Sequence, residues 1–182
     1  TIQGRTAYNA GIANSFAGSL DSRALMVLDT FPTSTTVQDS VGTSRSDDNL
    51  TFVGGRFVAI FDTISSTNTG PVTLSLGAVT QQWHPRTVTW TNVVDTINDQ
   101  RGWDEEGAGP VTTLTTAQWD PATGDSISFD LDSAQVALWS DTTDARPTFR
   151  VELMSEGHRV EIENMALRLT TRPSIHQDTL IE

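Results

Sequence analysis

The side chains with chemical reach in this 182-residue chain are five Trp, three His, eleven Arg and several close pairs of carboxylates. An indole face stacks on the apolar face of a pyranose and loses little entropy in doing so, which makes Trp83, Trp90, Trp103, Trp119 and Trp139 the first places to look for sugar binding. Trp90 falls in a strand pattern and Trp139 at the end of a helical turn, so both read as packing residues. Trp103 and Trp119 sit among polar, turn-rich residues, where a large apolar ring needs a loop cluster or a partner. Together with Trp83 they are the ligand-binding or assembly candidates, and Arg86 and Arg101 are the cations nearest to them in sequence.

Carboxylates gather at Asp104-Glu105-Glu106, at Asp130 with Asp132, and at Asp141 with Asp144. Hard oxygen ligands in Asp- and Gly-rich loops suit calcium, so Asp104, Glu105, Asp141 and Asp144 are weak calcium candidates. None follows a regular calcium-loop spacing, and an acidic solvated loop is the plainer reading. No other cofactor is implied. Glycoside hydrolysis needs two facing carboxylates at a set separation, and no pair stands out. A Ser nucleophile needs a base and an orienter, yet His84, His158 and His176 lie in turn or tail contexts and no G-x-S-x-G elbow occurs. The sequence is that of a protein that is not an enzyme.

Composition narrows the partners. Eleven basic against 23 acidic residues give a formal charge of −12, and every basic residue is Arg. Nucleic-acid affinity comes largely from cationic contacts that release counterions, so a polyphosphate partner is excluded. With no Lys there is no Schiff-base or P-loop chemistry, and with no Cys no thiol nucleophile, thiolate metal site or disulfide. No apolar run of membrane-spanning length and no leader occurs, so the chain reads as a mature segment that works outside the cell or on its surface.

Period-two and continuous apolar runs dominate, each stopped by Gly, Asn, Asp, Ser or Pro. Strands are expected at 23–28, 55–61, 72–79, 88–90, 126–131, 148–153, 160–163 and 166–170. Asp132 and Ser133 cap a short helix over 134–139, placing Val136 and Trp139 on one face to plug an end of the fold. About eight short strands without long helices imply an all-β protein, a two-sheet antiparallel β-sandwich of jelly-roll type, with one short helix near 133–139. The domain spans 1–172, with 92–125 a long loop insertion, and 173–182 is a C-terminal extension.

Residues 79–92, Val-Thr-Gln-Gln-Trp-His-Pro-Arg-Thr-Val-Thr-Trp-Thr-Asn, resemble the "V-T-x-x-W-x-x-x-x-V-T-W-N-N" run of the DNRLRE-type extracellular β-sandwich domains, a family related to alginate-binding modules and disaggregatase-related repeats. Residues 129–139 are similar to that family's "F-D-V-T-S-L-V-Q-A-W" element, and 23–29 to its "R-A-L-L-R-F-D" strand. The resemblance covers roughly 20–172 and implies a non-catalytic extracellular module whose best-attested role is carbohydrate binding. Stretch 92–125 has no counterpart in the family pattern. A polyanionic sugar fits poorly: even with Arg86, Arg101, Arg146 and Arg159 gathered in a local patch, a net −12 repels it at long range, so a neutral polysaccharide is the better ligand.

The chain ends suggest another role. Exposed sheet edges present unpaired N–H and C=O groups, and Ile2 near one end or Leu180 and Ile181 near the other can lie along a neighbour's edge. On this expectation the protein is a self-associating structural subunit of a surface layer, matrix or filament. Added salt would then strengthen assembly by screening the acidic subunits from one another.

Overall fold

The computed structural model describes residues 10–28, 30–141, 147–175 and 179–182, Asp141 by its backbone alone. It is an all-β sandwich of antiparallel sheets with one short helix. The central pair of one sheet is β6 (Leu50–Asp62) with β13 (His158–Pro173), flanked by β11 (Ser126–Leu131) on one side and by β1 (Ala10–Phe16) and β2 (Leu20–Ser22) on the other. The facing sheet runs in the order β10 (Val111–Trp119), β7 (Val72–Val79), β12 (Thr148–Leu153), β3 (Ala24–Val27). Two hairpins stand apart, β4 (Thr35–Gln38) with β5 (Ser44–Asp47) and β8 (Asn92–Asp95) with β9 (Gln100–Gly102).

Side-chain alternation selects the buried faces. In β11, Ile127, Phe129 and Leu131 are buried while Ser126, Ser128 and Asp130 face water. Phe57 of β6 meets Phe149 of β12 across the interior with ring centres 5.3 Å apart, and Phe61 lies 4.3 Å from Trp119 of β10. Each such aromatic removes a large apolar area from water, about 1.5–3 kcal/mol per fully buried side chain. Helix α1 (Ser133–Asp141) starts where Asp132 Oδ1 accepts the Ala134 N–H at 2.7 Å, as its capping role requires. Val136 is fully buried and Trp139 packs edge-on against Phe149 at 5.2 Å, so the helix does plug the sandwich.

Three expectations need correction. Stretch 92–125 is not a loop insertion: its second half is β10, a nine-residue strand paired with β7 along its length. An extra residue at Leu114 shifts the register between Thr113 and Thr115 and erases the two-residue period that would have announced the strand. Residues 88–90 form no strand. Residues 160–163 and 166–170 belong to one continuous β13, whose pairing with β6 shifts register at the extra residue Glu163 and again between Thr170 and Thr171.

The C-terminal extension folds back on its own domain. Buried Asp47 accepts the Ile175 N–H at 3.0 Å and the Ser174 hydroxyl at 2.9 Å, and Ile181 pairs with Thr171 of the same chain. Expected strand exchange through Ile181 is therefore replaced by pairing within the chain, while Leu180 is exposed. Ile2 lies outside the described residues. No described helix is long and apolar enough to cross a membrane.

Candidate functional site

In β7 and β12 alternate residues point away from the core: Thr73, Ser75, Gly77 and Val79 on one strand, Arg150 and Glu152 on the other. Residues 80–110 cover part of this outer face with a second, smaller cluster of Val79, Val93, Val94, Trp103 and Ala108, against which Leu25, Trp83, Val88 and Val111 pack. An Arg on the outside of a sheet is ordinary; an Arg there that is only 8 % exposed, as Arg150 is, has been covered by something.

What covers it is the turn at 105–109. Arg150 donates to the carbonyls of Gly107 and Ala108, both at 3.3 Å, and Arg23 donates to Gly107 O at 2.5 Å. Glu152 lies between the two guanidiniums, 2.8 Å from Arg150 Nη2 and 3.2 Å from Arg23 Nε. Arg23 also stacks over the Trp90 ring at 5.0 Å. Burial, and next the neighbouring Arg150 charge, hold the Arg23 guanidinium below its ordinary range, while Glu152 and Asp21 oppose them. The turn needs unusual backbone: Gly107 has φ +77° and Ala108 φ +68°. A Cβ at Gly107 would stand 2.8 Å from the Trp90 ring, so glycine is required on two counts.

On this clamped lobe lies a groove of about 370 Å³ lined by Gln82, Trp83, His84, Thr87, Val94, Thr96, Asp99 and Arg101. Two segments build it. The first is a turn in which His84 N donates to Val93 O at 3.0 Å while the N–H groups of Thr87 and Val88 donate to His84 O. His84 Nδ1 accepts from the Arg86 N–H at 3.3 Å. The second is the tip of the β8–β9 hairpin, where Thr96 N donates to Asp99 O at 2.9 Å and Arg101 Nε pairs with Asp99 Oδ1 at 3.1 Å. The Trp83 indole N–H is buried with no acceptor among the described residues.

The groove thus unites Trp83 and Arg101, which the sequence singled out, with Gln82, His84, Thr87, Thr96 and Asp99, which it did not. A signal existed in the polar run Gln81-Gln82-Trp83-His84, but nothing local shows that the 95–101 hairpin comes to lie beside it. Arg86 is exposed and is not among the lining residues. Trp103 and Trp119 are corrected from binding platforms to packing residues. Trp103 is 8 % exposed and donates to Thr89 O at 3.0 Å; Trp119 is 2 % exposed and donates to Gly124 O at 2.9 Å. Trp90, expected in the core, is instead 38 % exposed.

Among the described residues no three His, Asp or Glu are grouped to hold a metal. Asp104 and Glu105 are exposed, Asp104 N donates to Gln81 Oε1 at 2.9 Å, and Glu105 bridges back to Gly109. Asp144 and the side chain of Asp141 lie outside the described residues. The carboxylates held below their ordinary range serve turns rather than chemistry: Asp39 by the Thr43 N–H, Asp47 by the Ile175 N–H, Asp62 by the Ser65 hydroxyl. No protein-family model matches this chain, and no curated protein and no solved structure matches it.

Proposed function

We propose that this protein is a non-catalytic carbohydrate-binding module for a neutral polysaccharide, working outside the cell or at its surface, with the groove beside Trp83 as its site. The observation that carries this reading is the convergence in one cavity of an aromatic ring, Trp83, with amide, imidazole, hydroxyl, carboxylate and guanidinium groups. A volume of about 370 Å³ lies in the range of small-ligand sites. Such a mixture of donors and acceptors around an indole suits sugar hydroxyls and the apolar face of a pyranose. The pairing of Arg101 with Asp99 neutralises the groove's guanidinium and favours an uncharged ligand. The likeness of residues 79–92 to the DNRLRE-type run supports the same role.

Affinity electrophoresis and calorimetry against a panel of neutral polysaccharides test it. One member is expected to bind, and Arg101→Ala and His84→Ala, both on exposed residues, are each expected to weaken it about tenfold, the loss of roughly 1.4 kcal/mol. Binding that both variants leave unchanged, or no binding to any neutral glycan, overturns the proposal. A self-associating subunit is the second reading, favoured by the edge strands that end the two main sheets, β11 and β2 in one and β10 and β3 in the other. Light scattering that finds species far above 19.8 kDa would support it.

A further inference from the structure

The four edges of the two main sheets differ in how ready they are for another strand. β2 and β3 are only three and four residues long, and β11 carries the exposed Asp130. β10 ends its sheet with nine residues that hold no charge and no Pro, in a chain of net −12. Native edges are blunted by short length, charge, Pro or a bulge, and β10 has only the bulge at Leu114. Beyond that bulge, residues 115–119 pair in regular register with residues 76–72 of β7. The direction of each backbone group here follows from β7. Thr73 O accepts the Met154 N–H at 2.8 Å and Thr73 N donates to the Ser155 hydroxyl at 2.9 Å, so Thr73 faces the β12 side. By the two-residue period Ser75 faces the same way, while Val72, Leu74 and Leu76 face β10. Their partners Trp119, Ala117 and Thr115 therefore bond to β7, and the exposed Thr116 and Gln118 direct their N–H and C=O away from the sheet. Those backbone groups have no hydrogen-bond partner among the described residues.

We propose that β10 pairs antiparallel with β10 of a second copy across a two-fold axis at Ala117, joining two four-stranded sheets into one. In that register the edge is complementary to itself. Thr116 of one copy lies opposite Gln118 of the other, and each such pair exchanges two N–H···O=C bonds, which uses every outward group of both residues in both copies. Ala117 faces its own copy as a non-hydrogen-bonded pair, where Cα atoms approach to about 4.5 Å and a small side chain fits. Thr115 lies opposite Trp119, and Asp120 opposite Leu114, so no like charges meet across the pair. Only residues of the regular stretch carry the bonds, and the irregular step at Leu114 stays outside them. The lobe of residues 80–110 enters β10 at Val111, about 20 Å from the axis, and the two lobes stand at opposite ends of the joined strands. This inference rests on the self-associating reading, to which it assigns an edge, and not on glycan binding.

With no Cys in the chain, a single introduced thiol reports on the axis. Full-length Ala117→Cys is expected to oxidise to a disulfide-linked dimer of twice 19.8 kDa. Thr112→Cys, whose two copies would stand about 34 Å apart, is expected to stay monomeric. Mass spectrometry of the unreduced proteins reads both. Thr116→Pro, added to Ala117→Cys, removes an outward N–H and leaves the bonds to β7 in place, so it is expected to cut the cross-linked fraction at least about tenfold with the circular dichroism spectrum unchanged. A free thiol in Ala117→Cys, equal cross-linking of Thr112→Cys, or cross-linking that Thr116→Pro leaves unchanged overturns the proposal. Sedimentation of the Cys-free proteins separates it from the reading beneath it. Association of the parent that Thr116→Pro does not weaken puts the contact elsewhere and overturns the edge alone; a parent that is monomeric at every concentration overturns self-association as well.

Discussion

Glu152→Ala removes the carboxylate shared by Arg23 and Arg150. The structure sets the size of the effect. Arg150 and Glu152 side chains are 9 % and 18 % exposed and 2.8 Å apart, while Arg23, at 30 %, is 3.2 Å from the other carboxylate oxygen. Without Glu152 the two guanidiniums share the carbonyl of Gly107, with no carboxylate bridging them and only the weaker influence of Asp21 on Arg23 among the named charges to offset their repulsion. Breaking one partner of a fully buried pair costs about 3–5 kcal/mol; partial exposure of Glu152 and Arg23 reduces this to about 2–3 kcal/mol. In a chain of this size that is a fall in Tm of about 4–12 °C. Urea unfolding followed by Trp fluorescence, with thermal unfolding by circular dichroism, measures both. The triple variant Arg23→Met, Glu152→Leu, Arg150→Met is expected to recover most of the loss, because apolar replacements of similar volume leave no unpaired charge. A Glu152→Ala protein within about 0.5 kcal/mol of the parent, the spread of ordinary surface changes, would refute the idea that these charges clamp the 105–109 turn.

The tryptophans separate by environment. Trp119→Ala is expected to cost about 3–5 kcal/mol, because the ring is buried against Phe61 and its indole N–H is bonded to Gly124 O. Trp90→Ala is expected to cost about 1 kcal/mol or less, the worth of a half-exposed ring under Arg23. Equal losses in urea unfolding would refute the assignment of the first to the core and the second to the surface. Asp47 is held below the ordinary carboxylate range, first by the Ile175 N–H and then by Asn49 and Ser174, so the unfolded chain binds its proton at higher pH than the folded one does. Its contribution is fully present above about pH 4, the unfolded value, and is lost as pH falls through the lower folded value. Asp47→Asn is expected to flatten the slope of stability against pH below pH 4, and an unchanged slope between pH 5 and 2 would contradict this.

The sequence by itself determined the class of the fold, because alternation in 72–79 and 126–131 is a local record of one dry and one wet face. It likewise placed the helix, since Asp132 caps it through a bond to a residue two positions on. Where a strand carries an extra residue the record is lost. Leu114 in β10 breaks the period and Glu163 in β13 inverts it, so one strand read as loop and the other as two strands. Tertiary structure alone decided which tryptophans are buried. The polar neighbours of Trp103 and Trp119 describe only their own exposure, whereas a ring's burial depends on distant chain, here the lobe held down by Arg150 and the Phe61 face of the opposite sheet. The groove is of the same kind: Trp83 and Arg101 are eighteen residues apart, and only the packing of the β8–β9 hairpin onto the 82–87 turn makes them one site.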